Sequence, residues 1–175
     1  SSVPCVFLDA TRFGLTGSET VAELEAQSEL MDLVEKVRCV AAVHMGLAKT
    51  PRDAPGSAPK LGLVARPTAY KTLAGETVLP EAADLSARIW SMGQVHRVLP
   101  LTGAMCLAVA YRIPGTICHD LMSSDEGDVR LANPSGVLPL DARVELLNDG
   151  VKALQVTAYR TARTLMEGKI LIPTI

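Results

Sequence analysis

The stretch that most constrains this chain is residues 91–113, SMGQVHRVLPLTGAMCLAVAYRI, closed by Pro114-Gly115. A polar, glycine-containing passage runs into Thr102 and then into an Ala/Leu/Val run of helical length. That run is too apolar for a surface helix, so the chain must wrap something around it. Thr102 is the predicted N-cap, since its hydroxyl can accept an orphan amide two or three residues on. Gly103 and Ala104 carry almost no side chain, so a ligand oxygen could approach bare N–H groups at the positive end of the helix dipole. From spacing alone an ordinary capped core helix is the better fit, since caps are common and anion sites are few.

At 175 residues the chain can bury a proper core in one large domain or two small ones. Aromatic residues are only 3% within a hydrophobic fraction of 48%, so that core must be aliphatic. A net charge of −2 gives no reason to expect nucleic acid. No apolar run reaches the ~18 residues of a membrane span, and the opening SSVPC lacks the basic and apolar regions of a signal peptide. The start has no Met and enters a strand at once, which predicts that a segment precedes it. Cys5, Cys39, Cys106 and Cys118 have no CxxC spacing and form no zinc set with the three histidines. Reduced thiols in a cytoplasmic protein are the expectation, with Cys106 placed in the first turn of the focal helix.

Residues 3–8 read as a strand. Thr20 and Glu23 have capping-box spacing, and a helical period runs on to Met45 with Gly46 as its stop. Residues 39–45 are nearly all apolar, which predicts that this end is enclosed. Residues 49–59 form a Pro/Ala/Gly/Ser loop, read as a surface connection or a linker. Strands are predicted at 61–65, in a strand or hairpin at 70–78 around Gly75, and at 85–92, where a helical start at Pro80 competes. Beyond the focal helix come a strand at 116–121, a turn at Asn133-Pro134-Ser135-Gly136, a long hairpin turning at Asn148-Asp149-Gly150, and a last pair hinged at residues 166–169 that ends in a strand at 170–172. The fold class is α+β, a curved mixed sheet around a central apolar helix.

Familiar catalytic spacings are absent: no GxGxxG, P-loop, GxSxG or HExxH. His96, six residues before Thr102, could donate to a ligand at the helix end or serve a structural role. Arg160 and Arg163 fall on opposite faces if residues there are extended, and one could clamp a carboxylate.

Taken in order, Ala65-Arg66-Pro67, Leu73-Ala74-Gly75-Glu76-Thr77, Ser91-Met92-Gly93-Gln94-Val95-His96, Thr102-Gly103-Ala104-Met105-Cys106, Asn133-Pro134-Ser135-Gly136 and residues 160–168 resemble the 2-methylaconitate isomerase family, which includes 4-oxalomesaconate tautomerases and methylitaconate isomerases. The opening Val6-Phe7-Leu8-Asp9-Ala10 with Gly14-Leu15-Thr16-Gly17 resembles it too. The resemblance implies a diaminopimelate epimerase-like fold of two similar lobes, each a curved sheet around a central helix, with the active site between them. It implies that residues 1–175 are the second lobe and that the first, with its lysine and cysteine, is missing. Thr102 stands where the epimerase relatives carry a second catalytic cysteine, which argues against two-thiol racemisation. Asn133 stands where a histidine is expected.

The implied reaction is a cofactor-free allylic 1,3-proton shift in an unsaturated di- or tricarboxylate. The implied substrate-binding residues are Thr102, Gly103, Ala104, Met105, Ser91, His96 and Arg160, and the base comes from the missing lobe. No metal or cofactor is expected. The other readings are an epimerase or secondary-metabolism isomerase on the same fold, and a non-catalytic scaffold or homodimerising lobe.

Overall fold

The computed structural model describes residues 3–124, 126–148, 150–159, 162–169 and 171. Its centre is a mixed seven-stranded sheet. Along the main path run β1 (Cys5–Asp9), β2 (Lys60–Ala65), β5 (Leu85–Ser91), β7 (Val129–Asn133), β8 (Gly136–Leu147) and β9 (Gly150–Ala158). The short β6 (Gln94–Val95) folds back on β5, while β3 (Tyr70–Lys71) and β4 (Thr77–Val78) form a separate hairpin. Pairs β1–β2 and β5–β7 are parallel; β2–β5, β7–β8 and β8–β9 are antiparallel.

Period-two alternation sorts the sheet residues onto two cores. Phe7, Val64, Leu85, Ala87, Ile89, Leu131 and Leu140 face the apolar helix α3 (Leu101–Tyr111). Leu61, Leu63, Ala65 and Trp90 face the other way, towards α1 (Val21–Glu25) and α2 (Ser28–His44). Helix α3 touches β1 at one end of the sheet and β9 at the other, which requires the sheet to curl around it. Ala104, Leu107 and Ala108 are fully buried there. The expected curved sheet around a central apolar helix is what forms.

Several local expectations are corrected. The helix predicted to run from the Thr20 cap to Met45 is two. Thr20 and Glu23 do make the reciprocal capping box, but α1 ends at Glu25 and α2 restarts at Ser28. The far end of α2 is not enclosed: Leu30, Val34, Arg38 and Ala42 form a one-sided buried stripe at a spacing of four, while Val40 and Met45 stay 47% and 42% exposed. Apolar composition there does not mean burial, because only one face meets the sheet. Gly46, at φ 71°, ends the helix as expected.

Residues 116–121 hold no strand. Thr116 accepts from the His119 N–H and caps a short helix, α4 (Ile117–Asp120), so a local cap overrides a β-rich composition. Residues 162–169 carry neither helix nor strand and are exposed, so the strand pair hinged at 166–169 is not formed there. Ile170 and Ile172 lie outside the described residues. The loop at 49–59 is a surface connection within one body. Its single 3-10 turn (Pro51–Asp53) leads to a segment where buried Arg38 donates to the carbonyls of Pro55 and Ala58, at 2.7 and 3.1 Å.

Candidate active site

At one edge of the α3-facing side three strands present polar residues in a row. Cys5 pairs in register with Lys60, and Lys60 stands opposite Ser91, one step on from the Leu61–Trp90 pair. Directly paired residues point the same way, so this row closes the apolar floor made by Phe7 and Ile89. Strand β5 then turns into β6 through Met92 and Gly93, whose φ values are 54° and 73°. Two successive positive φ angles make the tight hairpin whose twist matches its strands. A methionine in that conformation is strained, and Met92 is 71% exposed, so burial of its side chain does not offset the strain.

The hairpin brings His96 back beside Ser91. Ser91 Oγ and His96 Nε2 are 2.6 Å apart, and Lys60 Nζ donates to Ser91 Oγ at 3.2 Å. The His96 backbone is held by its N–H donating to Ile89 O at 2.8 Å. Burial, and next the Lys60 charge, push the His96 imidazole below its ordinary value, so it is neutral at physiological pH. Ser91, Met92, Gly93, Val95, His96 and Glu25 border a cleft of about 600 Å³. A hollow of similar size, about 650 Å³, lies at the start of α2 beside Arg12, Phe13 and Gln27 but joins no such bonded cluster.

Helix α3 begins five residues after His96. Pro100, not Thr102, is its N-cap, and Thr102 is the second helical residue with no capping bond. The first amide in the helical ladder is Ala104, donating to Pro100 O at 2.9 Å. Orphan amides therefore belong to Leu101, Thr102 and Gly103, for which no acceptor exists among the described residues.

This corrects part of the expectation for the helix end. Ala104 is fully buried with its N–H engaged, and Met105 packs against the core from within the helix, so neither offers a free amide. Gly103 is buried as well. A Cβ there would lie 3.1 Å from Ile89 Cδ1 and 3.6 Å from Lys60 Cδ, so its smallness serves the chain's own packing and not the approach of a ligand. Thr102 is half-buried at the helix end.

Among the predicted residues, the structure joins Ser91 to His96 and links them through Lys60 to Gly103. Arg160 lies outside the described residues. Asn133 is 4% exposed and turns inward, donating to Gly136 O at 2.9 Å and accepting from Ser135 N at 3.0 Å, which makes it a turn residue. Sequence reasoning missed Lys60. Its only signal was a lysine at the first position of an otherwise apolar strand, and the cross-strand register that matters is invisible in the sequence.

The nearby thiols are held protonated. Cys5 is pushed up, first by its interaction with Cys106 and then by burial. Burial raises Cys118 to about 12. Among the described residues no three His, Cys, Asp or Glu side chains are grouped to hold a metal ion, and no helix is long and apolar enough to cross a membrane.

This fold, an aliphatic helix wrapped by a curled mixed sheet, is similar to that of a crystal structure of methylitaconate-delta-isomerase. The TM-score is 0.77 at 26% identity, over 89% of this chain and 43% of that one. Residues 1–173 match the PrpF protein family, and the chain belongs to it. It is 31% identical to a 3-methylitaconate isomerase of Eubacterium barkeri, over 97% of this chain and 45% of the relative. It is 32% identical to a 2-methyl-aconitate isomerase of Shewanella oneidensis, over 99% and 44% respectively. The chain thus spans less than half the length of these relatives.

Proposed function

We propose that this chain is the second lobe of a two-lobed, cofactor-independent isomerase that moves a carbon–carbon double bond in an unsaturated di- or tricarboxylate, working in the reducing cytoplasm. The observation that carries the reading is the pairing of a Ser91–His96 hydrogen bond with the orphan amides that open α3. Lys60 connects the two, since its ammonium donates to Ser91 and its stem lies against Gly103 at the amino end of the buried helix. Donors aimed at a carboxylate stabilise the negative charge that grows on its oxygens when the neighbouring carbon loses a proton. The same proton, or one from the same base, returns to the far carbon of the allyl system, and the double bond moves with no change in oxidation state. Relatives named for methylitaconate and 2-methyl-aconitate carry out chemistry of this class by name. All four cysteines here are thiols, in keeping with a reducing compartment.

The complementary lobe supplies the base. The β8–β9 hairpin supports a missing partner. Its inner face continues the core outward, from Leu140 and Ala142 paired with Ala158 and Val156 to Val144 and Leu146 paired with Ala153 and Val151. Yet Leu146 is 59% and Val151 43% exposed, while the outer face carries Asp141, Arg143, Glu145 and Lys152. An amphipathic hairpin with its apolar side open is built to be covered.

The test is deuterium incorporation and isomerisation of 2-methylaconitate in D2O, with the 175-residue chain alone and joined to the amino-terminal half of the Shewanella oneidensis relative. The expected result is no turnover alone and turnover when joined. Full activity of the chain alone contradicts the two-lobe reading. Self-association through β8–β9 without carboxylate binding favours the scaffold.

A further inference from the structure

Ser91 Oγ lies between a cation and an imidazole, with Lys60 Nζ at 3.2 Å and His96 Nε2 at 2.6 Å. A lysine ammonium can only donate, so the serine oxygen accepts from Lys60. The hydroxyl's own proton then has one acceptor among the described residues, His96 Nε2. The opposite assignment, with Nε2–H donating to Ser91, leaves the proton of a serine that is only 5% exposed without an acceptor. Buried donors without acceptors are strongly disfavoured.

We propose that Lys60 is a positioning residue which, acting through Ser91, fixes His96 as a neutral imidazole that accepts at Nε2 and carries its proton on Nδ1, the N–H offered to a substrate carboxylate. Only that last clause rests on the carboxylate reading. Lys60 is held for the task by the sheet: it pairs with Cys5 on β1, faces Ser91 on β5, and its stem lies against the Gly103 backbone. The charged and titratable groups around His96 are Lys60 with the Cys5 and Cys106 thiols behind it, Glu25 of α1, whose carboxylate accepts from Val95 N at 3.2 Å, and the adjacent Arg97. Burial and the Lys60 charge both favour the neutral ring.

The test is the long-range proton–nitrogen spectrum of the ligand-free 175-residue chain, with the His96 ring assigned by His96→Asn. The expected wild-type spectrum shows the proton on Nδ1. Lys60→Met should give mixed tautomers and move the His96 titration midpoint up towards about 6.5, while Lys60→Arg keeps the wild-type tautomer. If Lys60→Met fails to fold, Ser91→Ala carries the same prediction of released tautomers. A wild-type proton on Nε2, or a Lys60→Met (or, in its place, Ser91→Ala) ring indistinguishable from wild type in tautomer and titration, overturns the proposal. No carboxylate is present in the measurement, so its failure leaves the substrate reading standing, and a failure to bind carboxylate leaves the relay standing.

Discussion

Gly103 sits close against Ile89: a Cβ would lie 3.1 Å from the Ile89 Cδ1, so the isoleucine would have to give by a few tenths of an ångström. The glycine that looks from sequence like an opening for a ligand is a packing residue between α3 and β5. Gly103→Val should overpack this contact, at a cost of about 1–3 kcal/mol, and press on the Lys60 stem. Chemical denaturation measures the first effect, and the His96 tautomer reports the second.

Asp84 and Arg130 tie the start of β5 to β7. The carboxylate is 1% exposed and accepts from the Arg130 backbone N–H at 2.8 Å and from its guanidinium at 2.6 and 3.1 Å. Asp84→Ala should cost about 1.5–3 kcal/mol, the scale of hydrogen bonds to a charged group, because the arginine is partly exposed and regains water. The midpoint of urea unfolding reads this directly. An unchanged midpoint would contradict a stabilising role for the pair.

Arg38 holds the connection after α2. Its guanidinium meets Glu35 at 2.6 and 2.8 Å and the Pro55 and Ala58 carbonyls. Arg38→Met should speed limited proteolysis within residues 49–57 well before it affects cleavage elsewhere. Acid should act in the same direction. Arg38 holds the Glu35 carboxyl below its ordinary value of 4.5. Its contribution is therefore complete above that value and is lost as the pH falls through the lowered one.

Cys118 is 1% exposed, and burial pushes its thiol up to about 12. It should be the last of the four cysteines alkylated in the folded chain. Its folded value is raised above the ordinary 9.0, so the stabilisation is complete below pH 9 and is lost as pH rises towards 12. Cys118→Ala should flatten part of the alkaline decline in thermal stability measured from pH 8 to 11.

The parts of the fold legible in the sequence are those set by local chemistry. Thr20 with Glu23 announces its capping box, Gly46 ends α2, and the Asn133–Gly136 turn and the apolar run of α3 are read from composition and spacing. What was hidden depends on register and on neighbours. The strand predicted at 116–121 gives way to a helix because the Thr116 hydroxyl, anchored on the Ala110 carbonyl, caps it by accepting from the His119 N–H. The enclosure predicted for the far end of α2 fails because Val40 and Met45 lie off the buried stripe of Leu30, Val34, Arg38 and Ala42 and stay exposed. The site follows the same rule. Ser91 and His96 are five residues apart and were grouped by the family resemblance, whereas Lys60 joins them from a strand 31 residues earlier in the chain. The orphan amides shift two positions towards the amino terminus, to Leu101, Thr102 and Gly103, because Pro100 takes the capping position expected of Thr102.

The most direct measurement is a titration of the nitrogen-15-labelled chain with 2-methylaconitate, following every amide and the His96 ring. Saturable shifts are predicted to concentrate at the Leu101 and Thr102 amides and at the His96 imidazole. Shifts absent at high ligand concentration, or gathered elsewhere on the surface, contradict it.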